Sequence, residues 1–211
     1  MMIKSKNRVA VVAIGVLTLV ALCFQYARFA GLLTGFSGFL EARLRVAACQ
    51  GDTKKVERLL WLGINVNAID DEGASPLMLV EACKGDVVTS RVELVELLIA
   101  KGADVNLRNS EGRTALMYAA RNGDTPALNA LLKSGASVNI TDNGGETALT
   151  KAATSSCNEE TVRALLNAGA DLQARDRQGR NALDSFRASY ACPESKVGSL
   201  LQQDAATRKG G

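Results

Sequence analysis

Residues 102–135 read GADVNLRNSEGRTALMYAARNGDTPALNALLKSG, and the spacing inside this stretch decides the fold. Thr114 is placed to cap a short helix whose Ala115, Leu116, Ala119 and Ala120 form a narrow apolar face for close packing. Asn122-Gly123-Asp124 is a turn, with glycine supplying the positive φ after that helix. A second helix is predicted from Pro126 to Ser134; it presents Leu128, Leu131 and Leu132, and Gly135 ends it. Val138-Asn139 then enters an extended hairpin whose turn holds Asp142, Asn143, Gly144 and Gly145. A helix pair of this size cannot bury its own apolar face, so it has to stack on copies of itself.

The copies are present. NVNAIDDEGASPLML, DVNLRNSEGRTALMYAARNGD, SVNITDNGGETALTKAA and DLQARDRQGRNALDSF align, and Gly73, Gly112, Gly145 and Gly179 lie 39, 33 and 34 residues apart. The pairs Leu59-Leu60, Leu97-Leu98, Leu131-Leu132 and Leu165-Leu166 repeat in step, each followed by a glycine: Gly63, Gly102, Gly135 and Gly169.

With TALMYAARNG at 114–123 and LLIAKGADVN, LLKSGASVN and LLNAGADL after the outer helices, the pattern resembles the ankyrin-repeat family over about residues 40 to 204. The resemblance implies an all-α fold, a solenoid of helix pairs with short β-hairpin fingers. Three full repeats are expected, flanked by two partial capping repeats at 40–62 and 181–204. The family's histidine position holds Met78, Met117, Thr150 or Asp184, which removes a hydrogen-bonded tether of the hairpin. Extra residues around Cys83 to Glu93 (CKGDVVTSRVE) should make the second repeat bulge between its helices.

The resemblance also implies that a protein partner docks on the concave face, through variable positions of the fingers and inner helices. In this sequence they are Asp71, Glu72 and Ala74; Arg108, Ser110, Glu111 and Arg113; Thr141, Asn143 and Glu146; and Arg175, Arg177, Gln178 and Arg180. Met78, Met117 and Tyr118 should lie near the groove floor, although methionine at such positions more often serves packing. The first full finger is acidic (Asp70-Asp71-Glu72) and the last is basic, a gradient that would orient a partner by charge. The competing reading is ordinary solvation of loops, and pairing within Arg175-Asp176-Arg177 would blunt the gradient. Trp61 ends an outer helix, where it is expected to shield the first interior interface; an interface hot spot is the alternative.

Residues Val9 to Ala27, VAVVAIGVLTLVALCFQYA, contain no charge. A helix of this length reaches roughly 28 Å, about the thickness of a bilayer core. Two readings compete, a retained membrane anchor and a cleaved signal peptide. The anchor is favoured because Gln25 or Arg28 would stand where a signal peptidase needs a small residue. Lys4, Lys6 and Arg8 precede the run and Arg28 follows it, so residues 1–8 are assigned to the cytoplasm and the repeats to the far side, most simply a bacterial periplasm. Residues 28–39 then form a linker and 205–211 a disordered tail.

Composition narrows the function. The 211 residues carry 25 Lys+Arg against 22 Asp+Glu, four of the basic ones at or before Arg28, so the remainder stands at 21 − 22 = −1. That excludes the broad positive surface a nucleic-acid backbone requires. Histidine is absent, which removes Ser-His-Asp and Cys-His nucleophiles and His-ligated zinc. The five cysteines form no C-x-x-C pair. No catalytic set, cofactor, metal site or small-molecule substrate is therefore expected.

Cys49 and Cys83 occupy equivalent positions of adjacent repeats, where a spacing of about 10 Å exceeds disulfide reach, so they are expected to be unbridged. Cys157 and Cys192 lie in expanded inter-helix turns and form a candidate disulfide, against the favoured reading of free, small hydrophobes. The resulting expectation is a membrane-anchored protein acting by stoichiometric protein binding. It resembles in architecture the ankyrin-repeat immunity proteins that neutralise secreted toxins such as phospholipases. The alternatives are a scaffold or protector of an envelope enzyme in peroxide defence, and an adaptor tethering envelope assemblies.

Overall fold

The structure is a computed structural model, and it describes residues 34–83, 91–189 and 196–207. The basic tail 1–8, the apolar run 9–27 and Cys192 lie outside the described residues. Within them, no helix is long and apolar enough to cross a membrane.

The described helices alternate between two layers. The inner row is α1 (Thr34–Cys49), α3 (Pro76–Ala82), α5 (Ala115–Asn122), α7 (Ala148–Lys151, continued by a π-helical turn Ala152–Ser156) and α9 (Ala182–Ala188). The outer row is α2 (Thr53–Trp61), α4 (Arg91–Ala100), α6 (Thr125–Lys133), α8 (Glu159–Asn167) and α10 (Val197–Thr207). Each helix packs on its neighbours along its own row and on its partner in the other row. This is a solenoid, as the period demands.

Two boundaries differ from expectation. α1 begins at Thr34, inside the stretch read as linker, and α10 runs through Ala205 and Ala206 to Thr207, inside the stretch read as tail. Leu40, Leu44, Ala47 and Ala48 recur at helical spacing along α1 and are all buried.

Local chemistry explains the helix ends. Pro76 and Pro126 sit in first turns, where a missing N–H costs nothing. Ser75, Thr147 and Asn181 accept from the backbone N–H three residues on, and Asp184 completes a capping box with Asn181. Thr114, expected to cap α5, makes no such side-chain bond. Alanine sets the inner interfaces: Ala47, Ala48, Ala119, Ala120, Ala152 and Ala153 are all fully buried, so neighbouring backbones approach closely. Leucine fills the space behind them, with Leu94, Leu98, Leu128, Leu131 and Leu165 fully buried in the outer row.

The expected β-hairpin fingers are not strands; the described residues contain none. Each finger closes on two backbone bonds, such as Asn109 N–H to the Arg113 carbonyl at 3.0 Å and the turn bond from Gly112 N–H to the Asn109 carbonyl at 2.8 Å. An arm this short has no second rung, and an Asx side chain takes the remaining donors. Asp70, Asn109, Asp142 and Asp176 each accept two backbone N–H groups from their own finger.

Cys49 and Cys83 are joined by a disulfide, against expectation, with their Cα atoms 5.2 Å apart. The spacing argument assumed two parallel helix ends. Cys83 instead caps α3 in extended backbone (φ −89°, ψ 126°), so the chain leaves the helix and closes the gap to the end of α1. Cys157 is likewise disulfide-bonded. It follows the π-helical turn in left-handed conformation at φ 53°, a position that Gly123 fills one repeat earlier at φ 71°.

Candidate protein-binding face

Successive fingers form a continuous row because their tips are bonded to one another. Ser110 N–H donates to the Glu72 carbonyl, Asn143 N–H to the Glu111 carbonyl and Arg177 N–H to the Gly144 carbonyl, each at 2.8 Å. The contact leaves no room for a side chain. At Gly145, which has φ +81°, a Cβ would stand 3.0 Å from the Asp176 Cα.

A second ladder runs where the outer helices end and the chain enters the fingers. The side-chain amides of Asn67, Asn106 and Asn139 donate to the carbonyls of Gly102, Gly135 and Gly169, at the ends of the following outer helices. Their oxygens accept from the N–H groups of Asp104, Ser137 and Asp171. The repeated Val-Asn is therefore a repeat-to-repeat clamp that satisfies helix-end carbonyls.

Against this frame, the expected contact residues divide. Asp71, Glu72, Ser110, Glu111, Thr141, Arg177 and Gln178 are exposed on the tips. Ala74, Met78 and Met117 are buried, the methionines to 1% and 2% exposure, so they pack the inner row and offer nothing to a partner. Arg108 is exposed but engaged: it donates to the Gly112 carbonyl and, across the finger gap, to the Thr141 carbonyl. The Asn143 amide donates to the Ser110 carbonyl.

The basic end is partly neutralised. Arg180 pairs with Asp176 at 2.8 Å and donates to Gln178, while Arg175 donates to the Gly179 carbonyl. Arg177 has no ion pair or side-chain hydrogen bond among the described residues. The acidic end is reduced too, since Asp70 is occupied by backbone donors and only Asp71 and Glu72 face outward.

The middle of the face carries the densest chemistry. Tyr118 is half-buried; its hydroxyl accepts from Asn109 at 3.1 Å, and the Arg121 guanidinium lies 5.5 Å from its ring centroid. Arg113 pairs with Glu111 and lies 3.8 Å from Asp142. Lys151 bridges Asp142, at 2.9 Å, and Glu146. Burial pushes the Asp142 carboxyl up, but the Lys151 ammonium and the N–H groups of Glu146 and Gly144 outweigh it and hold the group below the usual carboxylate range. A half-buried aromatic ring flanked by guanidinium groups is the kind of anchor that concentrates binding energy in an interface.

Arg121, Lys151 and Asn109 were not singled out from the sequence. Helical spacing would have found Arg121, three positions after Tyr118 on the same face. Lys151 occupies the position of Tyr118 in the next repeat, which alignment alone would have exposed.

Trp61 does not shield the first interface. Its side chain is 63% exposed, because Val56 and Leu59 already fill that layer. One buried acid lies behind the face. Glu81 is 1% exposed, and neither carboxyl oxygen has a hydrogen-bond partner among the described residues. Burial, and then the nearby Asp124, push it up to about 7; Arg91, which lies 3.8 Å from Asp124, and the Asn122 amide pull the other way.

Comparison with known proteins agrees with the repeat architecture. A family model described as ankyrin repeats, in three copies, matches residues 44–142, 79–176 and 116–206, which is most of the chain. The chain belongs to the ankyrin-repeat family. Its ankyrin repeats are 34% identical over 121 residues to the rat ankyrin repeat and SAM domain-containing protein 6, covering 57% of this chain and 9% of that protein. They are 40% identical over 92 residues to the probable E3 ubiquitin-protein ligase XBOS33 of rice, covering 43% of this chain and 16% of that protein. With the zebrafish Notch-regulated ankyrin repeat-containing protein A, identity is 37% over 81 residues, 36% of this chain and 67% of that protein. The chain thus spans less than a fifth of the first two relatives, and what it shares with them is the repeat. Ankyrin-repeat domains are as a class protein-binding scaffolds, which supports protein binding by this one.

Proposed function

We propose that this ankyrin-repeat domain binds one protein partner stoichiometrically outside the cytoplasm, tethered to a membrane by residues 9–27. The observation that carries the compartment is the Cys49–Cys83 disulfide, together with a disulfide-bonded Cys157, in a chain of five cysteines. Disulfides persist in oxidising compartments and are rare in the cytosol. The partner's footprint is centred on Tyr118, Arg121 and Arg113, with Asp71 and Glu72 at one end and Arg177 at the other.

The test is a pull-down of full-length protein from crosslinked membranes, with co-purified chains and disulfides read by mass spectrometry. One near-stoichiometric partner and a linked Cys49–Cys83 peptide are expected. A toxic hydrolase as that partner would make the protein an immunity factor, whereas an envelope enzyme would make it a scaffold or protector. A broad set of envelope proteins would make it an adaptor and would refute stoichiometric binding. Fully reduced thiols in protein trapped directly from cells would refute the compartment.

A further inference from the structure

The exposed large hydrophobic side chains of the described residues, Phe39, Val46, Trp61, Leu62 and Ile69, all belong to the first repeat and the finger after it. The later repeats have none among the described residues. α1 and α2 are joined by the tight turn Gln50-Gly51-Asp52 and run antiparallel, so the end of α2 lies level with the early part of α1. At 1.5 Å per residue, Phe39 lies about 15 Å from the turn and Trp61 about 12 Å, both at the end where the chain enters the fold. Leu62 follows directly.

Charge accompanies the apolar groups. On the stretches of α1 and α2 away from the turn, Arg43 and Arg58 stand with Glu41 and Glu57, while Lys54 and Lys55 lie beside the turn itself. The Arg43 guanidinium lies 5.8 Å from the centroid of the Phe39 ring. Aromatic side chains with neighbouring Lys and Arg form the composition that sits at the headgroup level of a membrane.

The chain length fixes where this end can go. Ala27, the last residue of the apolar run, precedes Thr34 by seven positions, at most about 25 Å of extended chain. A tether this short holds the first repeat at millimolar-scale effective concentration beside the bilayer. We propose that the open end of the first repeat docks on the lipid surface, with Phe39, Trp61 and Leu62 entering the headgroup layer and Arg43 and Arg58 meeting anionic headgroups. This rests on the reading of residues 9–27 as a membrane anchor. It would hold the solenoid by its first repeat.

Trp61 is the chain's single tryptophan, so its fluorescence reports this contact alone. The full chain is reconstituted into phosphatidylethanolamine/phosphatidylglycerol vesicles, with and without lipid spin-labelled near the headgroup. Flotation establishes anchoring separately. The expected result is floating protein whose Trp61 emission is blue-shifted and mostly lost to the spin label. Phe39→Glu and Leu62→Glu, at exposed positions, should still float and keep their far-ultraviolet circular dichroism but recover the emission. Floating protein with unquenched, red-shifted Trp61 overturns the docking and leaves the anchor standing. A blue shift without quenching also overturns it, because a second copy or another protein then covers the patch. Failure to float overturns both readings.

Discussion

Glu81→Gln should leave stability unchanged in acid and raise it near pH 8. The carboxyl is 1% exposed, neither oxygen has a hydrogen-bond partner among the described residues, and Asp124 lies close enough to oppose its ionisation. Its pKa therefore rises from the ordinary 4.5 to about 7 in the folded protein. The folded state holds the proton more tightly than the unfolded chain, so this contribution is fully present below about pH 4.5 and is lost as pH rises through about 7. At roughly 1.4 kcal/mol for each pH unit, the change is worth about 3 kcal/mol. Glutamine has nearly the same shape and never ionises, so the variant should lack the decline. The assay is equilibrium urea unfolding of the full chain in non-ionic detergent, followed by far-ultraviolet circular dichroism at about pH 4.5, pH 6 and pH 8. A constant offset between the two proteins at all three would refute the argument, because it would mean that Glu81 binds its proton no more tightly in the fold than in the unfolded chain.

Leu131→Ala removes a fully buried side chain from the central outer helix and should cost on the order of 2–5 kcal/mol. Chemical denaturation reads it, and a loss under about 1 kcal/mol would mean that the site collapses around the gap. Arg177→Glu should weaken binding of the purified partner at least as much as Arg175→Glu or Arg180→Glu and leave the melting temperature unmoved, since Arg175 and Arg180 are turned onto their own finger. Calorimetry with all three variants decides this, and equal affinity for wild type and Arg177→Glu would remove the basic tip from the interface.

The cysteines show where reading along the chain fell short. Equivalent positions in adjacent repeats imply the spacing of the repeats, but Cys83 leaves its helix in extended backbone, and that local departure sets the distance to Cys49. The finger residues show the same division. Asp70, Asp142 and Asp176 read as turn carboxylates, which they are, yet Asp142 and Asp176 are buried keystones while Asp71 and Glu72 project outward. Neighbouring acids of one loop thus have opposite roles, and only the path of the backbone distinguishes them. Arg108 looked like a tip contact and proved to be a strut between fingers, because its reach across the gap depends on the next repeat being in place.

By itself, the sequence determined the repeat, its period, the stacking in two helical layers and the exclusion of histidine chemistry. Each of these follows from spacing or from residue identity, which a linear chain carries in full. The tertiary structure decided which charges remain available to a partner, which cysteines meet, that Trp61 and Phe39 lie exposed at one end, and that Glu81 is buried with no hydrogen-bond partner for its carboxyl among the described residues. Those properties depend on what stands opposite each side chain once neighbouring repeats are stacked. Repeats of the same pattern can engage or release the same residue type, so the outcome is fixed by contact geometry.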